Sequence, residues 1–99
     1  MRNKVKTIDT TVRTEKREKD GIDYTYRLIM TESANVASYK IPLYSISVNM
    51  VMSDGSETDA STRDLFADAG KAIDFFEKLV DNLATPIDLP YIVEDEFTR

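Results

Sequence analysis

Three carboxylates stand within six residues of this sequence, in the segment Asp54-Gly55-Ser56-Glu57-Thr58-Asp59. Hard cations such as Ca²⁺ and Mg²⁺ prefer oxygen ligands of this kind, and a carboxyl group removed from water can act as a general acid or base. The spacing does not match an EF-hand loop, and a solvated hairpin turn is the favoured interpretation. A metal-assisted hydrolase that uses Asp54, Glu57 and Asp59 is the alternative.

A larger acidic group lies in the second half of the chain. Residues 53–99 carry twelve acidic and four basic side chains, whereas residues 1–30 carry eight basic and five acidic ones. This asymmetry indicates either an acidic working face or a basic strand pair that packs against an acidic helix and partly neutralises it. The second interpretation is favoured on structural grounds, and the first supplies the functional hypothesis.

The functional hypothesis is a non-enzymatic binding protein that docks on a basic, nucleic-acid-binding surface of a partner protein, as an inhibitor or regulator. Phe75 is expected to lie off the apolar stripe of its helix, beside Asp74 and Lys78, where an exposed aromatic side chain can anchor an interface. A self-associating module is a further alternative. The oligomeric state is left open, as is the choice between the acidic helix and the exposed polar face of the sheet as the binding surface. The predicted partner-binding residues are Asp64, Asp68, Asp74, Phe75, Glu77, Asp81, Glu94, Asp95 and Glu96.

Several classes of chemistry are excluded by composition. The 99 residues include neither Cys nor His, which removes disulfides, Cys/His metal centres, thiol nucleophiles and imidazole bases. No cofactor or metal site is therefore predicted. The net charge of −5 argues against direct binding of nucleic acid. No apolar run is long enough to cross a membrane, and a cytoplasmic location is expected.

Two strands with one buried face are predicted from alternating residue types. Apolar and aromatic residues alternate with polar ones over residues 22–30 and again over residues 44–52. The tyrosines of these strands, together with nearby basic residues, offer a surface for stacking single-stranded bases. Because Tyr24, Tyr26 and Tyr44 share a face with Leu28 and with other apolar side chains, packing in the core is favoured.

Two outer strands complete the predicted sheet. The segment Val5–Arg17 is rich in β-branched residues, with Ile8 and Val12 on one face, and residues 57–60 form a short fourth strand. The pairs Asp20-Gly21 and Asp54-Gly55 predict tight hairpin turns, because Gly adopts positive φ and Asp tolerates it. We therefore expect about four antiparallel strands within residues 1–60.

From Ser61 onward the apolar period changes from two to about 3.6 residues, which predicts one long amphipathic helix over residues 61–84. Ser61 or Thr62 is the expected N-cap. Asp64 and Asp68 would then lie near the positive end of the helix dipole. The helix must end before Pro86, because a residue that precedes proline disfavours helical geometry.

Residues 85–99 are predicted to form a short C-terminal helix capped by Asp88, with Pro90 in its first turn. Its apolar residues, Phe97 among them, are expected to fold back on the core. Residues 1–99 are thus interpreted as a single α+β domain: an antiparallel β-meander of about four strands, with the long helix packed on one face and the short helix last.

The ending Thr85-Pro86-Ile87-Asp88-Leu89-Pro90-Tyr91-Ile92-Val93-Glu94-Asp95-Glu96-Phe97 resembles that of a family of small uncharacterised Firmicutes proteins. Proteins of that family commonly close with a Pro-Ile-x-Leu-x-x-Val-[IV]-Glu-Asp-like string. The resemblance covers about the last thirty residues, and it implies β-hairpins ahead of a Ser- or Thr-capped helix. It also implies a bacterial, phage or mobile-element source, but it transfers no activity and no site residues.

Overall fold

The chain forms a four-stranded antiparallel sheet followed by two helices, in a computed structural model that describes residues 7–33 and 41–98. The predicted α+β fold, with one longer helix packed on one sheet face and a short C-terminal helix, is confirmed. The strand order is that of the chain, as in a meander. Assignment of residues 1–99 to one domain stays a prediction. The elements are β1 (Thr7–Lys19), β2 (Ile22–Ser33), β3 (Leu43–Val51), β4 (Glu57–Phe66), α1 (Ala69–Asp81) and α2 (Leu89–Phe97).

Both predicted hairpin turns are present. Asp20 and Gly21 have φ angles of 55° and 79°, the double left-handed conformation that suits a tight turn between two antiparallel strands. Gly55 has a φ of 92°, which an L side chain rarely adopts. Asp54 stabilises the second turn, because its Oδ1 accepts hydrogen bonds from both the backbone N–H and the hydroxyl of Ser56.

One face of the sheet is buried and the helices cover it. Residues opposite one another in β2 and β3, such as Leu28 and Ile46 or Tyr26 and Val48, point to the same face. The core confirms the packing predicted for the tyrosines of these strands. Its buried apolar residues are Tyr24, Tyr26, Leu28, Tyr44, Ile46, Val48, Phe66, Ala72, Phe75, Phe76, Leu79, Val80, Ala84 and Leu89.

A buried hydrogen bond ties the sheet to the segment that follows α1. The Tyr26 hydroxyl donates to the carbonyl oxygen of Ala84 at 2.8 Å. Both residues are buried, so the bond satisfies two polar groups that water does not reach. Burial also raises the pKa of Tyr26 to about 12.

A β-bulge at Val12 divides β1 into two registers. Thr11 lies opposite Ile29 and Arg13 lies opposite Leu28, so Val12 has no partner of its own in β2. Arg13 therefore shares a face with Leu28, on the side that the helices cover. The side chain of Val12 is exposed.

The predicted start of the long helix at residue 61 is wrong, because β4 continues to Phe66. Thr62 lies opposite Ile46 and Phe66 lies opposite Tyr44, with an irregular register between the two pairs. Within this bulge Asp64 adopts a φ of 54°, and its N–H donates to the Ser45 hydroxyl oxygen at 2.8 Å. Pairing along β3 thus outweighs the weak helical period of residues 61–68, and Asp64 lies in a strand.

Asp68 is the N-cap of α1, in place of Ser61 or Thr62. Its Oδ1 accepts a hydrogen bond from the Lys71 N–H at 3.0 Å, which satisfies one of the free donors of the first turn. The helix ends at Asp81, earlier than Pro86 requires. Leu83 reverses the chain with a φ of 50°, and the Ala84 N–H closes the end by donating to the Leu79 carbonyl.

The short C-terminal helix, α2, has Pro90 in its first turn as predicted, and Asp88 precedes it without a side-chain capping hydrogen bond. Leu89 is buried, which anchors the start of α2 in the core, whereas Phe97 at its end is half exposed. Within the part of the chain that the structure describes, no helix is long and apolar enough to span a membrane.

The capping role of Asp68 predicts a difference between two alanine substitutions. Asp68→Ala should lower the free energy of unfolding by about 1 kcal/mol, because it removes the acceptor of the Lys71 N–H. Ser61→Ala should change it by less than about 0.5 kcal/mol, as for an exposed substitution away from a cap. Urea denaturation measures both. Equal losses would contradict the assignment of the cap.

The Tyr26 hydroxyl predicts a pH-dependent contribution to stability. Tyr26→Phe should cost about 1–2 kcal/mol at pH 8, because the Ala84 carbonyl loses its donor. Since the pKa of Tyr26 is raised in the folded state, the unfolded chain loses this proton first, and the stability of the natural chain should fall as the pH rises from 10 to 12. The stability of Tyr26→Phe should fall less over that pH interval, because the variant lacks this titrating hydroxyl.

Tyr24→Phe is the matched control, because it removes a hydroxyl from the neighbouring stacked ring. Denaturation at pH 8 and at pH 11 compares the three chains. A constant difference between the natural chain and Tyr26→Phe at both pH values would contradict the raised pKa.

Candidate functional site

The predicted acidic residues of α1 form one exposed stripe. Asp74, Glu77 and Asp81 follow each other at three- and four-residue steps, which places them on one side of a helix. All three are exposed. Asp64 and Asp68 do not belong to this stripe, because Asp64 lies in the bulge of β4 and Asp68 caps the helix.

Glu77 is held by the basic first strand. Arg13 Nη1 donates to Glu77 Oε2 at 2.8 Å, and the Arg13 Cζ lies 5.4 Å from the centroid of the Phe76 ring. Arg13 also pairs with Glu15, and the hydrogen bonds to Glu77 and then to Glu15 raise the pKa of Arg13. This ion pair is one contact of the kind that the favoured interpretation, a basic strand pair packed against an acidic helix, expects. The interpretation of the whole charge asymmetry stays a prediction.

The acidic residues of α2 also include one that pairs within the chain and others that are exposed. Glu96 is half-buried and its Oε1 lies 3.5 Å from Lys78 Nζ, so these two side chains connect the helices. Glu94 and Asp95 are exposed. Among residues 7–33 and 41–98, the carboxylates of Asp74, Asp81 and Glu94 have no ion-pair partner, and these three remain available to another molecule.

The exposed position predicted for Phe75 is wrong. Only 3% of this residue is exposed, because the apolar side of α1 is wide enough to include it and the end of β4 covers it. Its ring centroid lies 5.5 Å from that of Phe66, which in turn lies 5.3 Å from that of Phe97. Phe97 is 52% exposed, so the outermost ring of this row is the one that meets solvent.

The three phenylalanines line a groove between α1, the end of α2 and the end of β4. We call it the aromatic groove, and its volume is 810 Å³. This volume lies within the range of small-molecule pockets, about 300–1,000 Å³. The residues that line the aromatic groove are Phe66, Ala67, Asp68, Lys71, Asp74, Phe75, Lys78, Glu96 and Phe97.

A second, smaller cleft of 410 Å³ lies between α1 and α2. Tyr91, which is 70% exposed, stands at this cleft beside Leu79 and Ile92. Lys78 and Glu96 line both hollows, so their ion pair separates the aromatic groove from the helix cleft. Phe66 and Tyr91 were not among the predicted site residues. Their adjacency to the acidic helices depends on the tertiary fold, which no local spacing in the sequence signals.

The carboxylates of the second hairpin do not converge. The Asp54 side chain accepts from Ser56 inside the turn, which holds the pKa of Asp54 below its usual value. Glu57 accepts from the Asn49 amide at 2.8 Å on the uncovered sheet face. In the described ranges, no three Asp, Glu, His or Cys side chains are grouped as ligands of a metal ion. Asp54, Glu57 and Asp59 are thus not grouped as metal ligands in this part of the chain.

Comparison with known proteins places the chain in a family. Residues 5–99 match the model of the family of unknown function DUF6514, and the chain belongs to this family. The match includes the strands as well as the C-terminal third that carries the resemblance noted above. Neither the curated proteins nor the solved structures contain a match to this chain.

Burial of Phe75 and exposure of Phe97 predict very different costs of substitution. Phe75→Ala should lower the free energy of unfolding by about 3–5 kcal/mol, as for a large-to-small change in a core. Phe97→Ala should cost about 1 kcal/mol or less, because half of its side chain already meets water. Thermal and urea denaturation measure both. A loss of unfolding free energy that is small for both variants would contradict the burial of Phe75.

Proposed function

We propose that this chain is a non-enzymatic protein-binding module that docks its helical layer, residues 68–98, on a basic surface of a partner protein. The supporting observation is the charge of that layer, which carries eight acidic and two basic side chains. Asp74, Asp81 and Glu94 extend from it without an ion-pair partner in the described residues. Complementary charge accelerates association and selects partners of opposite sign.

The partner in this proposal is a nucleic-acid-binding protein, and the chain acts as its inhibitor or regulator by covering the basic surface. Proteins that bind nucleic acid present Lys and Arg side chains to the phosphate backbone, and an acidic layer can occupy the same basic surface. A net charge of −5 makes direct binding of nucleic acid by this chain unfavourable. A bacterial source in the Firmicutes, a phage or mobile-element origin, and a cytoplasmic location belong to the same proposal.

The self-associating alternative rests on the exposed edge of β1, a strand of thirteen residues that pairs on one side only among the strands of the described residues. Unpaired edges invite pairing with a second copy. However, six of the last seven residues of β1 are charged, from Arg13 to Lys19, and charges on an edge strand oppose such pairing. The edge of β1 therefore supports self-association less well than the acidic helical layer supports docking on a partner protein.

Charge reversal tests the proposal. The tagged full chain is used to capture partners from a lysate of the organism that encodes it, in parallel with the triple variant Asp74→Lys, Asp81→Lys, Glu94→Lys. We expect the natural chain to retain a basic, nucleic-acid-binding protein, and the triple variant to lose at least nine-tenths of it. Retention should also weaken as salt is raised, because salt screens exposed charges.

The matched control is Asp23→Lys, Glu32→Lys, Asp59→Lys, which makes the same change in net charge outside the helical layer. It should retain the partner. Melting temperatures verify that both triple variants are folded. Capture of the same proteins by the natural chain and the helical triple variant would overturn the proposal, as would an equal loss in the control.

A further inference from the structure

The aromatic groove and the helix cleft give the acidic surface two apolar hollows, which charge alone does not require. The aromatic groove is lined by the buried rings of Phe66 and Phe75 and by the exposed ring of Phe97. The helix cleft has Leu79, Ile92 and the exposed ring of Tyr91. Exposed apolar surface next to polar residues is typical of interaction sites. A partner that only neutralised the carboxylates would leave both hollows open to water.

The charges around the hollows specify the sign of what enters them. Asp74 stands at the aromatic groove and Asp95 at the helix cleft. Lys78, which borders both, is paired with Glu96, and Lys71 is the other basic residue at the groove. The surrounding layer, residues 68–98, has a balance of −6. A ligand that brings positive charge to the rims is therefore favoured over a neutral or acidic one.

We infer that the partner docks through an amphipathic, basic segment that inserts one apolar side chain into the aromatic groove and a second into the helix cleft. The two anchors pass on either side of the Lys78–Glu96 ion pair. Lysines or arginines of the segment meet Asp74, which lines the aromatic groove, and the other exposed carboxylates of the helical layer. Recognition of a helix by a groove uses apolar anchors at three- or four-residue steps, which suits two neighbouring hollows. This inference rests on the proposed function and adds the chemistry of the contacting segment.

The chain offers variants that separate the anchors from the charge. Phe97→Ala removes the exposed wall of the aromatic groove, and Tyr91→Ala removes that of the helix cleft. Ile87→Ala is the control, because Ile87 is 68% exposed but lines neither hollow. Phe97→Leu keeps an apolar wall. All four leave the net charge unchanged.

The test is selection of random displayed peptides on the immobilised full chain, followed by calorimetric titration of the enriched peptides as synthetic probes. We expect enriched peptides to carry two apolar residues three or four positions apart, together with several Lys or Arg. Phe97→Ala and Tyr91→Ala should each raise Kd about tenfold, as for residues at the centre of an interface. Ile87→Ala should leave Kd unchanged, and Phe97→Leu should restore most of the affinity.

The inference is overturned if no peptide is enriched, if enriched peptides lack the apolar pair, or if Phe97→Ala and Ile87→Ala behave alike. The same variants in the lysate capture distinguish its failure from that of the proposed function. A partner that is lost on charge reversal but retained by Phe97→Ala and Tyr91→Ala would preserve the proposed function and remove the anchors. Retention of the partner by the charge-reversed variant would contradict the proposed function itself.

Discussion

Burial of one face of the sheet under α1 is the constraint on which the other features of this protein depend. Tyr26, Leu28, Ile46 and Val48 are almost completely buried on that face, and Phe76 reaches them from the helix. Each such side chain contributes roughly 1.5–3 kcal/mol when it leaves water. Within residues 7–33 and 41–98 these side chains belong to one buried apolar cluster, so the loss of any of them weakens the same core. The position of α1, and with it that of the acidic stripe, follows from this packing.

The elements that the sequence predicts well are those with a strict period. β2 and β3 alternate residue by residue, and each Asp-Gly pair requires a turn, so the strands and hairpins were predictable from local pattern. The strand formed by residues 61–66 could not be predicted in this way. Their residue types suit both a strand and the first turns of a helix, and the choice depends on pairing with β3, including the bond from the Asp64 N–H to Ser45.

The candidate site shows the same division between local and tertiary information. The acidic character of the helical region could be predicted from the sequence, since charge is a property of composition. The burial of Phe75 could not, because it depends on Phe66 at the end of a strand and on Phe97 at the end of α2. The contact between Arg13 and Glu77 likewise requires the bulge at Val12, which no residue type in β1 indicates.

Ion pairs within the chain divide the carboxylates of the helices into those that hold the fold together and those that remain available to a partner. Arg13 holds Glu77 and Lys78 holds Glu96, so these two carboxylates stabilise the arrangement of the elements. Asp74, Asp81 and Glu94 have no such role in the described residues. Asp74 lines the aromatic groove, and Asp81 and Glu94 are exposed elsewhere on the same helices. The central claim is that these outward carboxylates, and not those of the uncovered sheet face, form the binding surface.

Carboxyl labelling of the full chain, free and in the complex purified from lysate, tests that claim most directly. Mass spectrometry measures the modification of each exposed carboxylate in the two states. The account predicts that labelling falls at Asp74, Asp81 and Glu94 in the complex and is unchanged at Asp23 and Asp59. Protection at Asp23 and Asp59, with the helical carboxylates still labelled, would contradict it.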